Sequence, residues 1–187
     1  MERSLIDSSL HVLRGGKTLL YPTDTIWGIG CDATCMEAVE KIYKIKERDH
    51  NKSMLVLANE TMLSPTLPQM VRDLLLNNDR PTTVILPHEM LQIGLADNLP
   101  AQDGTVGVRI PKFEFCQTLL SSLGHPLVST SANLSGRPSP AQYEDIEDEI
   151  KKRVDLALPN DPSFLHATMG SSRIIKLSEK GEMIVLR

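Results

Sequence analysis

Lys17-Thr18-Leu19-Leu20-Tyr21-Pro22-Thr23-Asp24-Thr25-Ile26-Trp27-Gly28-Ile29-Gly30 decides the kind of sheet this chain builds. Lys17 to Tyr21 reads as a short buried strand halted by Pro22, and Ile26 to Gly30 resumes extended structure. The connection between them is far too short for a parallel crossover, which needs about a dozen residues or more. A purely parallel sheet is therefore excluded. The polar triplet Thr23-Asp24-Thr25 stands at a strand end, where functional groups are commonly displayed.

Working outward, Leu5, Ile6, Leu10 and Leu13 have helical spacing and stop at Gly15-Gly16, which suits a left-handed cap. Thr34-Cys35-Met36-Glu37 fits a capping box, and Ala38, Val39, Ile42 and Ile45 carry one apolar face to about residues 46–48. Strands are expected over residues 53–58, 82–86, 105–110 and 126–130. Helices are expected around Met70–Leu75 and Phe115–Leu123, the latter closed by Gly124. A long polar loop, residues 131–140, precedes an acidic helix marked by Ile146, Ile150 and Val154. Two late strands, 173–177 and 183–186, are joined by Ser178-Glu179-Lys180-Gly181 as a hairpin. The expectation is an α/β protein with a twisted sheet of mixed parallel and antiparallel strands, flanked by helices.

With 187 residues, 41% hydrophobic and 24% charged, the chain is expected to form one soluble domain over residues 1–187. The formal charge is −4, from 20 Lys plus Arg against 24 Asp plus Glu, so any anion site is local rather than a property of the whole surface. Cys31, Cys35 and Cys116 form no CxxC pair and read as free thiols in a reducing compartment, which with the absence of a signal-like or membrane-spanning run gives an expected cytoplasmic location.

Gly16-Lys17-Thr18 is not a phosphate loop, because His11 stands where the earlier glycine belongs and a strand follows. The five histidines are scattered and no residue set has metal-ligand spacing. Lys46, Arg48 and Lys52 gather cations at a helix end, either to grip a polyphosphate or simply to complement the helix dipole. Ser129-Thr130-Ser131-Ala132-Asn133 can hold a nucleotide or satisfy its own loop backbone. Neither GxSxG nor a placed His/Asp pair makes Ser131 a hydrolase nucleophile. Arg109, inside the apolar Gly107-Val108-Arg109-Ile110-Pro111, needs an anion, either a structural carboxylate or a carboxylate substrate.

In order along the chain, Tyr21-Pro22-Thr23-Asp24-Thr25, Lys46-x-Arg48, Gly107-Val108-Arg109-Ile110-Pro111 and Ser129-Thr130-Ser131-Ala132-Asn133-x-Ser135-Gly136 resemble the YrdC-like family, the threonylcarbamoyl-AMP synthases. The resemblance runs from about Leu5 to Arg187 and implies the single-domain YrdC-like fold, with a concave nucleotide-binding face. The KxR and SxN pairs, here Lys46/Arg48 and Ser131/Asn133, mark the active synthases and are typically missing from the YciO branch. The chain's extent matches the short family form, which relies on partner proteins for the next step.

The resemblance implies that L-threonine, bicarbonate or CO2, and ATP give L-threonylcarbamoyladenylate and pyrophosphate. This intermediate serves t6A37 of ANN-decoding tRNAs through downstream threonylcarbamoyl-transferase proteins. By the same resemblance Lys46, Arg48 and Lys52 neutralise phosphates, with Mg²⁺ accompanying the nucleotide and no dedicated protein metal site. Arg48, Lys52, Thr105, Ser131, Asn133, Ser139 and Arg187 bind the nucleotide, while Thr25, Arg109, Ser129 and Ser172 bind L-threonine. Departures are Trp27 for the usual tyrosine, Asp49 and Ser53 for prolines, Leu57 for a histidine of some members, and Asp79-Arg80 before Pro81. Two other readings stand beside the synthase: a double-stranded-RNA or ribosome-associated module without turnover, and a nucleotide-binding paralogue with another substrate.

Overall fold

The computed structural model describes residues 2–52, 54–164, 170–177 and 183–186. Ser53, the expected hairpin turn at Ser178–Gly181 and Arg187 lie outside the described residues.

Helix α1 (Glu2–Arg14) buries Ile6, Leu10 and Leu13 and ends at Gly16, whose φ of 64° only glycine adopts freely. Strands β1 (Leu19–Tyr21) and β2 (Gly28–Gly30) pair antiparallel, as their short connection requires. Helix α2 (Met36–Lys46) follows. Its expected capping box is not formed: Cys35 is the cap residue without a side-chain cap bond, and Thr34 instead donates through N and Oγ1 to Asp32 Oδ1 at 2.9 and 2.8 Å. Asp32, which also meets His125 Nδ1 at 2.8 Å, accepts the Thr34 amide and hydroxyl protons, and the helix starts one residue later, after Cys35.

The middle of the chain supplies β3 (Leu55–Leu57), α3 (Gln69–Leu76), β4 (Thr82–Pro87), β5 (Thr105–Arg109), α4 (Glu114–Leu123) and β6 (Leu127–Ser131). Gly124 caps α4 at φ 80°, as expected. The acidic helix is shorter than its apolar spacing suggests. A 3-10 turn at Tyr143–Asp145 is closed by its own Gln142/Asp145 capping box, Ile146 is extended, and only α5 (Asp148–Arg153) is α-helical. Strand β7 (Leu156–Ala157) was not expected, while β8 (Arg173–Leu177) and β9 (Met183–Val185) pair antiparallel as predicted.

These strands form one sheet in the order β7-β1-β2-β6-β3-β5-β4-β8-β9. Three neighbouring pairs, β1/β7, β3/β5 and β4/β8, are parallel and the others antiparallel. The sheet is therefore mixed, with helices flanking it. Tight strand contact depends on Gly30, where a Cβ would lie 1.9 Å from Val128 O. Tyr21 is fully buried; burial pushes its hydroxyl pKa up, so this residue is core rather than chemistry. All three phenylalanines and the single tryptophan join in one cluster: Phe164 meets Phe113, Phe115 and Trp27, and the Trp27 ring lies tilted at 4.7 Å from that of Tyr143. Trp27 ties the Thr23–Gly28 connection into this cluster.

Candidate active site

Period-two alternation in the central strands builds the floor of a cleft. On β5, Val106 and Val108 are buried in the core, so Thr105, Gly107 and Arg109 face the opposite side. Register continues this face across the sheet: Ser129 lies beside Leu55, Leu55 beside Gly107, Gly107 beside Ile85 and Ile85 beside Lys176. Gly107 keeps the centre of the floor open, since a Cβ there would lie 3.1 Å from Thr83 Cγ2 and 3.3 Å from Leu55 Cβ.

The resulting cleft has a volume of about 460 Å³, within the range of small-molecule sites. Its described lining carries ten hydroxyl side chains and the cations Arg48, Arg109 and Lys176, with no carboxylate. Such a surface donates to anions and supplies no general base or metal-ligating acid.

At one end sits Arg109, 3% exposed, ion-paired with buried Asp24. Asp24 Oδ2 also accepts the Lys112 amide at 3.2 Å. Thus the structural carboxylate allowed by the sequence exists. It does not exhaust the guanidinium: Arg109 Nε is buried and has no partner among the described residues. Beside it, Thr23 Oγ1 donates to Ile26 O at 2.7 Å, so its 2.8 Å contact with Thr25 Oγ1 makes Thr25 the donor. The remaining Thr25 lone pairs are left to accept from a ligand N–H or O–H.

Toward the other end stand Arg48, Ser131 and Ser139. Glu47, in the left-handed region at φ 51°, turns the chain at the end of α2, so that Lys46 and Arg48 take different directions. Arg48 lines the cleft and donates through Nε to Lys52 O at 2.7 Å. Burial is the main force lowering its pKa, opposed by Tyr43.

Lys46 is 2% exposed and turned away; its Nζ donates to Ser131 O at 2.5 Å and Asn133 O at 2.7 Å. Burial, then the Arg48 charge, pulls its pKa from 10.5 to about 7. Both carbonyls can be satisfied by an ammonium or by a neutral amine, which keeps two N–H donors.

Of the residues expected to form the site, Thr25, Arg48, Thr105, Arg109, Ser129, Ser131, Ser139 and Ser172 line this one cleft. Lys46, Lys52 and Asn133 are not in its lining, and Arg187 lies outside the described residues. Lys52 is exposed. Asn133 is buried, with Nδ2 donating to Leu134 O at 3.0 Å and Arg137 O at 2.7 Å. Residues not anticipated include Lys176, Gly107 and Thr83, whose hydroxyl bonds that of Ser172 at 2.9 Å. Counting alternate positions from Arg109 along β5 and across to its neighbours was the signal that identifies them.

The molecule is thus an α/β protein with a hydroxyl- and cation-lined cleft for a small anionic ligand. The family profile described as "Telomere recombination", covering Sua5, YciO and YrdC, matches residues 11–187. The chain belongs to this family. A threonylcarbamoyl-AMP synthase of Hahella chejuensis is 31% identical over 170 residues, covering 88% of this chain and 91% of that protein. The crystal structure of P. abyssi Sua5 complexed with L-threonine superposes with a TM-score of 0.83 at 25% identity, covering 97% of this chain and 53% of that one. This chain therefore spans about half the length of that protein. E. coli YciO superposes with a TM-score of 0.78 at 25% identity, covering 100% of this chain and 89% of that one.

Proposed function

We propose that this chain is an L-threonylcarbamoyladenylate synthase acting on L-threonine, bicarbonate or CO2, and ATP. One observation carries the reading above all: a single cleft is lined by buried Arg109 at one end and by Arg48 with Ser131 and Ser139 at the other. The first end suits an amino-acid carboxylate; at the second, Arg48 suits a phosphate chain and the two serine hydroxyls the nucleoside. The threonine-named relative and the synthase relatives support the same reading.

In this mechanism the threonine amine adds to CO2, giving a carbamate and releasing a proton. A carbamate oxygen then bonds to the α-phosphorus as the bond to the bridging oxygen breaks, and pyrophosphate departs. No enzyme nucleophile is required, and the cleft offers positioning and charge neutralisation. Arg109 holds the threonine carboxylate, Thr25 accepts from the substrate's polar N–H or O–H, and Ser129 and Ser172 complete that end. Arg48 neutralises phosphate charge, the family resemblance adds Lys52 and Arg187 as nucleotide-binding residues, and Thr105, Ser131 and Ser139 hydrogen-bond the nucleotide. The described lining has no carboxylate, so its donor set fits Mg²⁺ only as a passenger on the nucleotide phosphates, and no step is routed through it.

The chain works as a single domain over residues 1–187, and its product passes to threonylcarbamoyl-transferase proteins for t6A37 of tRNA. No helix among the described residues is long and apolar enough to cross a membrane. The free thiols Cys31, Cys35 and Cys116 support a cytoplasmic setting. Pyrophosphate release from ATP tests the reaction: it should require both L-threonine and bicarbonate, and release indifferent to either, or none with both, refutes the proposal.

A further inference from the structure

The Lys46-x-Arg48 and Ser131-x-Asn133 pairs meet in space but divide into two layers. Arg48 and Ser131 are in the cleft lining, whereas Lys46 and Asn133 are buried and outside it. Lys46 grips the same short segment from both ends of its own residue. Its Nζ donates to the carbonyls of Ser131 and Asn133 at 2.5 and 2.7 Å, and its own carbonyl accepts the Ser135 amide at 2.8 Å. Asn133 continues the clamp through Nδ2, which ties Leu134 O and Arg137 O. On the opposite side the Ala132 amide donates to Trp27 O at 3.1 Å, fixing the segment to the cleft wall.

We infer that Lys46 and Asn133 are positioning residues, which hold the Ser131–Ser139 segment against the cleft from behind while Arg48 and Ser131 meet the ligand. The inference rests on the synthase reading for the identity of that ligand. Its geometry has a definite chemical reason. A carbonyl at a strand end that turns into a loop must find a donor or water, and here one lysine supplies two of the donors from a buried site. Burial sets the cost of holding that amine there, consistent with its lowered pKa. A lysine held in this way cannot reach phosphates without releasing both carbonyls.

The discriminating experiment compares Lys46→Met with Arg48→Met in the full chain, measuring affinities for ATP, AMP and adenosine by calorimetry. A residue touching phosphates loses affinity in proportion to their number, whereas a residue acting through Ser131 and Ser139 weakens all three alike. Lys46→Met should lower the three affinities by a similar factor, on the order of tenfold, the worth of about one ligand hydrogen bond. Arg48→Met should cost ATP about tenfold more than adenosine. Hydrogen exchange of the ligand-free proteins supplies a second readout: amides of residues 131–139 should lose protection in Lys46→Met and keep it in Arg48→Met.

If Lys46→Met does not fold, Asn133→Ala tests the same clamp with the same ligands and amides. A Lys46→Met loss that grows with phosphate number as it does for Arg48→Met, or unchanged affinities with unchanged exchange, overturns the inference. Should the wild-type chain bind none of the three ligands, the synthase reading fails, and the exchange comparison alone decides the clamp.

Discussion

Arg109→Met separates the two tasks of the buried arginine. The Arg109 and Asp24 side chains are 3% and 11% exposed, so removing the guanidinium strands a carboxylate that keeps the Lys112 amide at 3.2 Å as a donor. Breaking a buried pair from one side costs about 3–5 kcal/mol, and in a domain of this size about 2–4 °C of melting temperature follows each kcal/mol. A fall of roughly 10 °C is therefore expected. Asp24→Asn combined with Arg109→Met removes the stranded charge and should recover part of this loss. Threonine binding should not recover, because the lost charge-assisted bond to its carboxylate is worth about 1.5–3 kcal/mol, on the order of 10–100-fold in the apparent threonine constant. Urea melts and initial rates at varied threonine measure the two effects. A single variant that loses less than about 1 kcal/mol, or a double variant that regains normal threonine dependence, refutes this division.

Gly107→Ala should weaken ligand binding and cost about 1–3 kcal/mol of stability, since its Cβ enters the cleft floor at 3.1 Å from Thr83 Cγ2 and 3.3 Å from Leu55 Cβ; calorimetry with ATP and threonine, and a urea melt, check it. Gly30→Ala should abolish stable folding, because a Cβ at 1.9 Å from Val128 O cannot be accommodated without parting β2 from β6; circular dichroism of the purified variant decides this. Burial works against the Asp155 carboxylate, but bonds from Lys41 and from the Thr18 amide and hydroxyl outweigh it and hold its pKa at about 2 against an ordinary 3.8. The native state then binds fewer protons than the unfolded chain in that window, so this contribution is complete above about pH 4 and lost as pH falls toward 2. Asp155→Asn should show a smaller drop in urea midpoint between about pH 5 and pH 3 than the parent chain.

Local signals carried most of the architecture because they act over a few residues. Gly16 and Gly124 end helices where their left-handed conformation requires, and the short β1–β2 connection dictates antiparallel pairing. Local signals also account for the errors. Thr34 was read as a helix cap because its tie to Asp32, a carboxylate that also meets His125 some 90 residues away in sequence, is not visible locally. Two-residue β7 has no periodicity to read, and depends on Thr18 and Asp155 being tied together from distant parts of the chain.

The site was legible as a set of chemical types, since hydroxyls at strand ends and a lone arginine in an apolar strand are unusual placements. Their orientations were not. Spacing of two between Lys46 and Arg48 gives no warning that Glu47 adopts φ 51° and sends one side chain under the loop and the other into the cleft. Nor does Lys176 stand out among 20 basic residues until strand register sets it in line with Gly107.

The most direct test of the central claim is to incubate the chain with ATP, L-threonine and ¹³C-bicarbonate and weigh the nucleotide product. The account predicts an adenylate carrying both threonine and the ¹³C carbon, formed together with pyrophosphate. A threonine–AMP conjugate without the label, or ATP consumed with no threonine in the product, would contradict it.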